Sequence, residues 1–407
     1  MSGVLIRAGR LFTAASSSET IEHACVLVRD GRINSVSKSP PPEREYDLEI
    51  DARNYFVLPG LIDLHVHLMA SGQENYVSSM LEQREYQLIR AQYNAEMTLN
   101  AGFTTVRDAG APGFEIIALR NAVAKGFARG PRIFAAGQVL TETGGHADTP
   151  YLRGRVCDGV EEVRKACREQ IKMGADFIKI CVSGGGLSSQ DNPDEPQFTV
   201  EEISTAVDEA HRKHRKAAAH SQAISGMKNA LAAGVDTIEH GVHLNEEICG
   251  EMKKTGTVLV PTMLAPALMW ENASKGTLPD WLTQKLEKQV IPHRESIKMA
   301  NIAGVKIGFG TDAGSPFNFH GSNAREFRYL TEHAGLTNGE ALMSSTKVAS
   351  FVLGCQDTIG SIEAGKMADI IIVKGDPLEK IECLTHPENI KVVIKEGKVE
   401  KKIESRM

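Results

Sequence analysis

The chain has 407 residues, 42% hydrophobic and 24% charged, which excludes a disordered protein and suits a large α/β barrel plus a small accessory domain. Its formal net charge of −6 argues against a nucleic-acid partner, which would require a basic surface. The seven cysteines are scattered without a CxxC spacing, and neither a signal peptide nor a membrane-spanning run is found, so we expect a cytoplasmic protein without disulfides or a membrane partner.

The two ends of the chain resemble each other and differ from the middle. Residues 1–58 and 363–407 both show short β-rich runs with tight turns, at Asp30-Gly31 and at Glu396-Gly397. Neither end has enough strands for an independently stable sheet. We therefore predict one small β-sandwich domain built from both termini, around a barrel domain over residues 59–362.

The middle of the chain alternates short β-rich runs with longer helical stretches, which is typical of parallel βα units. Glycines in MGAD, AAGV, NAGF and IAGV lie where helices are expected to end. Eight candidate strands predict a closed (β/α)8 barrel of the TIM type. They are Leu61–His67, Gly102–Arg107, Arg132–Ala136, Phe177–Cys181, Lys216–His220, Thr237–His240, Thr257–Pro261 and Lys306–Thr311.

Residues that can bind metal lie at the carboxyl ends of several of these strands, where barrel enzymes carry their active sites. His65 and His67 end the first strand. Because they are two residues apart in a strand, both rings face the same side. Such a pair suits a divalent metal but is a weak signal alone, because surface and core histidines are common. His220 and His240 end the fifth and sixth strands, where each is either a core histidine or a ligand.

A lysine and an aspartate complete this set. Lys179, in the fourth strand, has two interpretations. It is either a surface lysine whose aliphatic stem is buried, or an amine that reacts with CO₂ to form a carbamate able to bridge two metals. Asp312 follows the last strand and is either a helix N-cap or a carboxylate that binds metal and takes a proton from bound water. Each signal is modest, but the ordered set on strands one, four, five, six and eight favours ligation.

The segments LPGLIDLHVHL, GADFIKICVSGGG, AAAHSQ, GVDTIEHGV, GFGTDAG and GSIEAGKMADIIIV resemble the amidohydrolase superfamily over nearly the whole chain. Within it, the chain is similar to binuclear-zinc Xaa-Pro dipeptidases, related carboxypeptidases and ochratoxinase-like amidases. The resemblance implies that His65 and His67 hold one metal and that His220 and His240 hold the other. It further implies that carboxylated Lys179 bridges two divalent ions, by default Zn²⁺, and that Asp312 is ligand and catalytic base.

The expected reaction is attack on a C-terminal amide by a hydroxide shared between two cations roughly 3.5–4 Å apart. Asp312 receives the proton and returns it to the leaving amine. The substrate would be a small molecule: a dipeptide such as Xaa-Pro, an N-acyl amino acid or an ochratoxin-like amide. Related amidases are often octamers, so the resemblance also implies a homo-oligomer.

The sequence says less about substrate binding. His146, in a glycine-rich GGH segment similar to one in related amidases, is a candidate to polarise the carbonyl or meet a carboxylate. Nearby Tyr151, Arg153 and Arg155 are candidates to pair with a carboxylate, and His320 is a further candidate at the rim. The loop Ser183–Gly186 lacks the pattern of a phosphate loop and is interpreted as a flexible lid.

Two other functions remain open at this point. One is a mononuclear deaminase or cyclic amidase of the imidazolonepropionase type, which would bind one metal and leave Lys179 unmodified. The other is a barrel that serves as a non-catalytic assembly module, which the complete set of ligand types disfavours.

Overall fold

The computed structural model describes residues 3–42, 45–273, 275–276 and 278–402. Its strands are β1 (Gly3–Phe12), β2 (Thr20–Glu22), β3 (Cys25–Arg29), β4 (Arg32–Ser37), β5 (Leu48–Pro59), β6 (Leu61–Val66), β7 (Phe103–Asp108), β8 (Arg132–Ala135), β9 (Leu140–Thr141), β10 (Arg155–Val156), β11 (Phe177–Cys181), β12 (Lys216–Ser221), β13 (Thr237–His240), β14 (Val258–Val260), β15 (Ile370–Val373), β16 (Ile390–Lys395) and β17 (Lys398–Lys402). Its α-helices are α1 (Tyr76–Met80), α2 (Arg84–Asn100), α3 (Glu115–Ala124), α4 (Gly159–Met173), α5 (Val200–His211), α6 (Ile224–Ala233), α7 (Glu246–Thr255), α8 (Leu264–Ala273), α9 (Asp280–Ala303), α10 (Arg325–Glu332), α11 (Asn338–Ser344) and α12 (Lys347–Val352).

Both ends of the chain contribute to one eight-stranded sheet. Its order is β17-β16-β15-β5-β1-β3-β4, with β2 paired to β1. The β-branched runs IIIV in β15 and IKVVIK in β16 pair antiparallel, and β15 pairs in turn with the end of β5. The strand order is that of one continuous sheet. The β-sandwich, that is, two stacked sheets in a domain of their own, stays a prediction.

The middle of the chain is a mixed α/β structure with parallel strands. One sheet has the order β6-β7-β8 and the other β10-β9-β11-β12-β13-β14, and every adjacent pair in both is parallel. Seven of the eight predicted strands form with bounds within one residue of expectation. Helices end where the glycines predicted, and Gly174, after α4, adopts a φ of +101° that an L side chain would resist.

The eighth predicted strand, Lys306–Thr311, is wrong as a regular strand, because it forms only an isolated bridge to Leu259. Its backbone bonds both to Leu259 and, on the other side, to Leu64 of β6. Gly308 and Gly310 permit this double contact: a Cβ would lie 2.7 Å from the Leu64 side chain at Gly308 and 2.4 Å from that of Val260 at Gly310. The segment therefore connects the two parallel sheets without forming a ladder of its own.

All seven cysteines are free thiols. Within the ranges described above, no helix combines the length and apolar character that crossing a bilayer requires.

Candidate active site

The carboxyl end of β6 carries the first group of candidate ligands. His65 is buried, and the ring centroids of His65 and His67 lie 5.4 Å apart. Asp312 approaches both, with its Oδ1 3.2 Å from His67 Nε2 and 3.8 Å from His65 Nε2. One ligand atom from each of the three residues lies within 4.8 Å of the other two. Two imidazoles and one carboxylate at this spacing can hold a divalent cation.

The second pair of histidines adjoins the first. The His220 and His240 ring centroids are 4.5 Å apart, and that of His240 is 5.0 Å from that of His65. Thr262 orients His240 through a 2.7 Å hydrogen bond between its hydroxyl and His240 Nδ1. His240 and Asp312 also have positive φ values of 72° and 57°, a strained backbone that proteins tend to retain at functional sites.

Lys179 lies buried in β11 beside these imidazoles. Its side chain is 3% exposed, and its Nζ has no hydrogen-bond partner among the described residues. Burial lowers the pKa of this amine, which favours the uncharged form that can react with CO₂. An unpaired buried amine is costly, and a carbamate there would be anionic and able to accept metal bonds, so this residue fits the expected group.

Burial also sets the protonation of the imidazoles. It lowers the pKa of His65, His220 and His240 well below the ordinary value. Neutral imidazoles present the lone pairs that metals bind. At His67, burial opposes protonation, but the hydrogen bond and charge of Asp312 outweigh it and raise the pKa. The structure thus brings all six sequence-predicted ligands to one cavity.

A buried ion pair supports His65 and was missed by sequence reasoning. Glu239 Oε2 lies 2.7 Å from His65 Nδ1, and its Oε1 accepts a 2.6 Å hydrogen bond from the Arg107 guanidinium. Such a contact fixes the ring orientation and tautomer of a candidate ligand. The available signal was a charged residue near the end of each of two predicted barrel strands, Glu239 in TIEH and Arg107 in TTVRD.

His146 faces the same cavity. Its ring stacks on His220 with centroids 4.5 Å apart, and its Nδ1 lies 2.9 Å from Asp191 Oδ2. Burial raises the pKa of Asp191, but His146 and Lys285 outweigh it and lower that pKa to about 2. Lys285 of α9 also donates to the carbonyls of Gly185, Ser188 and Asp191. The glycine loop interpreted as a flexible lid is therefore fastened to α9.

The other predicted substrate contacts lie outside the cavity lining. The Tyr151 hydroxyl donates to Leu187 O, Arg153 donates to Pro150 O, and Arg155 pairs with Glu169 at 2.9 Å. His320 lies behind the site, with its Nε2 3.1 Å from His67 O and its Nδ1 3.3 Å from the Thr98 hydroxyl. Burial lowers its pKa to about 4. Substrate binding by these four residues stays a prediction without a supporting contact in the structure.

The cavity is mostly apolar away from the histidines. It holds about 1140 Å³ of space, part of it open to solvent, and its wall includes Met69, Tyr76, Met80, Met269 and Leu286. Among its polar lining residues are Gln222 and Gln289, neither of which the sequence had marked. A cluster of imidazoles, an amine and a carboxylate at the base of an apolar cavity is suited to polar chemistry on a small organic substrate.

Parallel strands that carry such a cluster at their carboxyl ends are typical of enzymes with α/β folds. The model of the amidohydrolase family matches residues 56–399, and the chain belongs to that family.

Individual relatives are similar over the whole chain. Ochratoxinase from Aspergillus niger is 30% identical over 423 residues, covering 97% of this chain and 86% of that enzyme. The crystal structure of a Xaa-Pro dipeptidase with methionine bound in its active site has a TM-score of 0.92 and 37% identity, covering 98% of this chain and 99% of that one. The A. niger ochratoxinase crystal structure has a TM-score of 0.87 and 30% identity, covering 98% and 96%. These relatives support amide or peptide hydrolysis by this chain.

Proposed function

We propose that this chain is a binuclear metal-dependent amidase that cleaves a small C-terminal amide: a dipeptide such as Xaa-Pro, an N-acyl amino acid or an ochratoxin-like amide. The observation that carries the proposal is that five ligand-type side chains line one cavity together with the unpaired buried amine of Lys179. The dipeptidase and ochratoxinase relatives support the choice of substrates.

His65, His67 and Asp312 would hold one divalent cation, His220 and His240 the other, and carbamylated Lys179 would bridge them. Bound cations would polarise the scissile carbonyl and lower the pKa of an attacking water. We also propose that the two parallel sheets and the segment 306–313 form one (β/α)8 barrel, supported by the backbone bonds of that segment to β14 and β6.

The residues of the chain have separable tasks in this proposal. Asp312, held by the bond from its own N–H to His65 O, takes the proton of the attacking water and delivers it to the leaving amine. His146, oriented by Asp191, would in its doubly protonated form donate a hydrogen bond from its other ring nitrogen to the carbonyl oxygen. Glu239 keeps His65 in the orientation that presents Nε2 to the cation.

The test is a hydrolysis assay of zinc-loaded protein with Xaa-Pro dipeptides, N-acyl amino acids and ochratoxin A. We expect activity that chelation abolishes and added metal restores. Asp312→Asn should lower kcat by about 100-fold or more, whereas Asp357→Asn, at an exposed aspartate, should not. Hydrolysis that survives chelation, or a fully active Asp312→Asn protein, would contradict the proposal. Ammonia release from an amino-substituted heterocycle, or ring opening of a cyclic amide, by protein with one metal would favour the alternative of a mononuclear deaminase or cyclic amidase.

A further inference from the structure

The ammonium of Lys285, on α9, is enclosed by the loop that follows β11. Its Nζ lies 3.0 Å from Gly185 O, 2.6 Å from Ser188 O, 2.8 Å from Asp191 O and 3.1 Å from Asp191 Oδ1. The three N–H groups of the ammonium therefore have four acceptors within reach. The centre of the Trp281 ring lies 5.8 Å from the same nitrogen. The side chain is 17% exposed, and these contacts fix its position between α9 and the loop.

The loop depends on such contacts for its conformation. Residues 182–199, all of which the structure describes, form neither a helix nor a strand between β11 and α5. Backbone carbonyls outside regular elements need other donors, and Lys285 supplies one to three of them. Gly186 and Leu187, which lie between these carbonyls in the chain, line the cavity. Loss of the ammonium would therefore release part of the cavity wall.

Asp191 connects the ammonium to His146. Its side chain is 3% exposed, and its Oδ1 faces Lys285. Its Oδ2 lies 2.9 Å from His146 Nδ1 and accepts a 2.8 Å hydrogen bond from the N–H of Gly185. One carboxylate thus fixes the imidazole and the loop together. Lys285 is not among the described residues that line the cavity, so it would act on a substrate through these neighbours.

We propose that Lys285 is a positioning residue for His146, because its ammonium fixes the loop 185–191 and with it the carboxylate that orients the imidazole. The inference rests on the proposed amidase function for the task of His146 in the reaction. A side chain that acts by orienting another group loses its effect once that group is removed. A side chain that only stabilises the fold would keep its effect.

The first test asks whether Lys285 holds the loop, by hydrogen–deuterium exchange of the full chain followed by mass spectrometry. In Lys285→Met, peptides that cover residues 185–191 should exchange at least about ten-fold faster than in the wild-type protein, because local opening exposes N–H groups such as that of Gly185. The matched control is Lys288→Met, at an exposed position of the same helix, which should leave this exchange unchanged. Unchanged exchange in Lys285→Met would overturn the inference.

A kinetic comparison asks whether the effect passes through His146. In zinc-loaded protein, Lys285→Met should lower kcat by about ten-fold or more at unchanged zinc content, since a misdirected imidazole loses its bond to the reacting carbonyl. In a His146→Ala protein, adding Lys285→Met should lower kcat further by less than about two-fold. A further loss as large as that in the wild-type background, or an unchanged kcat in Lys285→Met, would overturn the inference.

A second variant and the exchange data keep the outcomes distinct. If Lys285→Met does not fold, Lys285→Gln takes its place, because its amide keeps two N–H donors for the carbonyls but offers Asp191 no charge. The same two comparisons then decide the inference. Absence of hydrolysis by the wild-type protein would count against the amidase function, whereas the exchange comparison would still decide whether Lys285 holds the loop.

Discussion

Removing Arg107 should destabilise the protein through the ion pair behind the candidate metal centre. Arg107 is 2% exposed and donates to Leu64 O at 2.6 Å, to the Thr237 hydroxyl at 3.3 Å and to Glu239 at 2.6 Å. Its guanidinium also lies 5.1 Å from the centre of the Phe177 ring. Arg107→Met would leave the fully buried Glu239 without its cationic partner.

Breaking a buried ion pair by removing one partner costs about 3–5 kcal/mol in free energy of unfolding. For 407 residues, the entropy of unfolding is about 0.9 kcal/mol/K. Arg107→Met should therefore lower the Tm of metal-free protein by about 4–6 °C in a calorimetric scan. Adding Glu239→Gln should recover part of that loss, because the neutral amide leaves no unpaired charge in the interior.

The matched control is an exposed pair on α10. Arg328 and Glu332 are joined at 2.7 Å, with side chains 60% and 41% exposed. Arg328→Met should change Tm by less than about 1 °C, since exposed pairs contribute little. A shift for Arg107→Met no larger than this control, or a double variant less stable than the single one, would refute the reasoning.

Two further predictions concern the site loop and pH. Gly185→Ala should lower kcat/KM by about 100-fold, because the added Cβ would lie 2.3 Å from the His146 ring and displace it. The control is Gly186→Ala, which should have little effect because its Cβ would have a nearest neighbour at 3.7 Å. Equal effects of the two substitutions would contradict a role for His146. At Asp236, burial raises the pKa, but hydrogen bonds, above all from Lys216, outweigh it and lower the pKa. Its stabilisation is therefore fully present above the ordinary pKa of 3.8 and is lost as pH falls through the lower folded-state value. Asp236→Asn should lower Tm by about 2 °C at pH 6 and by less at pH 3, and a gap that widens towards acid would refute this.

Sequence reasoning succeeded where one local pattern carried the information. His65, His220 and His240 are each the last or next-to-last residue of a strand, which places these side chains by strand position alone, since the carboxyl ends of parallel strands share one edge of the sheet. Lys179 was recognised as a candidate because it is a charged residue inside an apolar strand. The prediction of a regular strand over residues 306–311 was wrong, because the glycines of this segment allow close contacts on both sides. Strand propensity does not encode such contacts.

The residues that sequence reasoning missed depend on contacts between distant parts of the chain. Gln222 and Gln289 are separated by 67 positions and meet only because α9 lies over the end of β12. Asp191 reaches His146 from 45 positions away through an irregular loop. Arg155 lay near His146 in sequence, yet its guanidinium pairs with Glu169 instead. Proximity along the chain was therefore a poor guide to the cavity wall.

The most direct test of the account is to load the protein with zinc, remove free metal and count the zinc ions per chain by inductively coupled plasma mass spectrometry. The account predicts two zinc ions per chain, because His65, His67 and Asp312 are proposed to hold one ion, His220 and His240 the other, and Lys179 both. One ion per chain, or two ions retained in a Lys179→Ala protein, would contradict it.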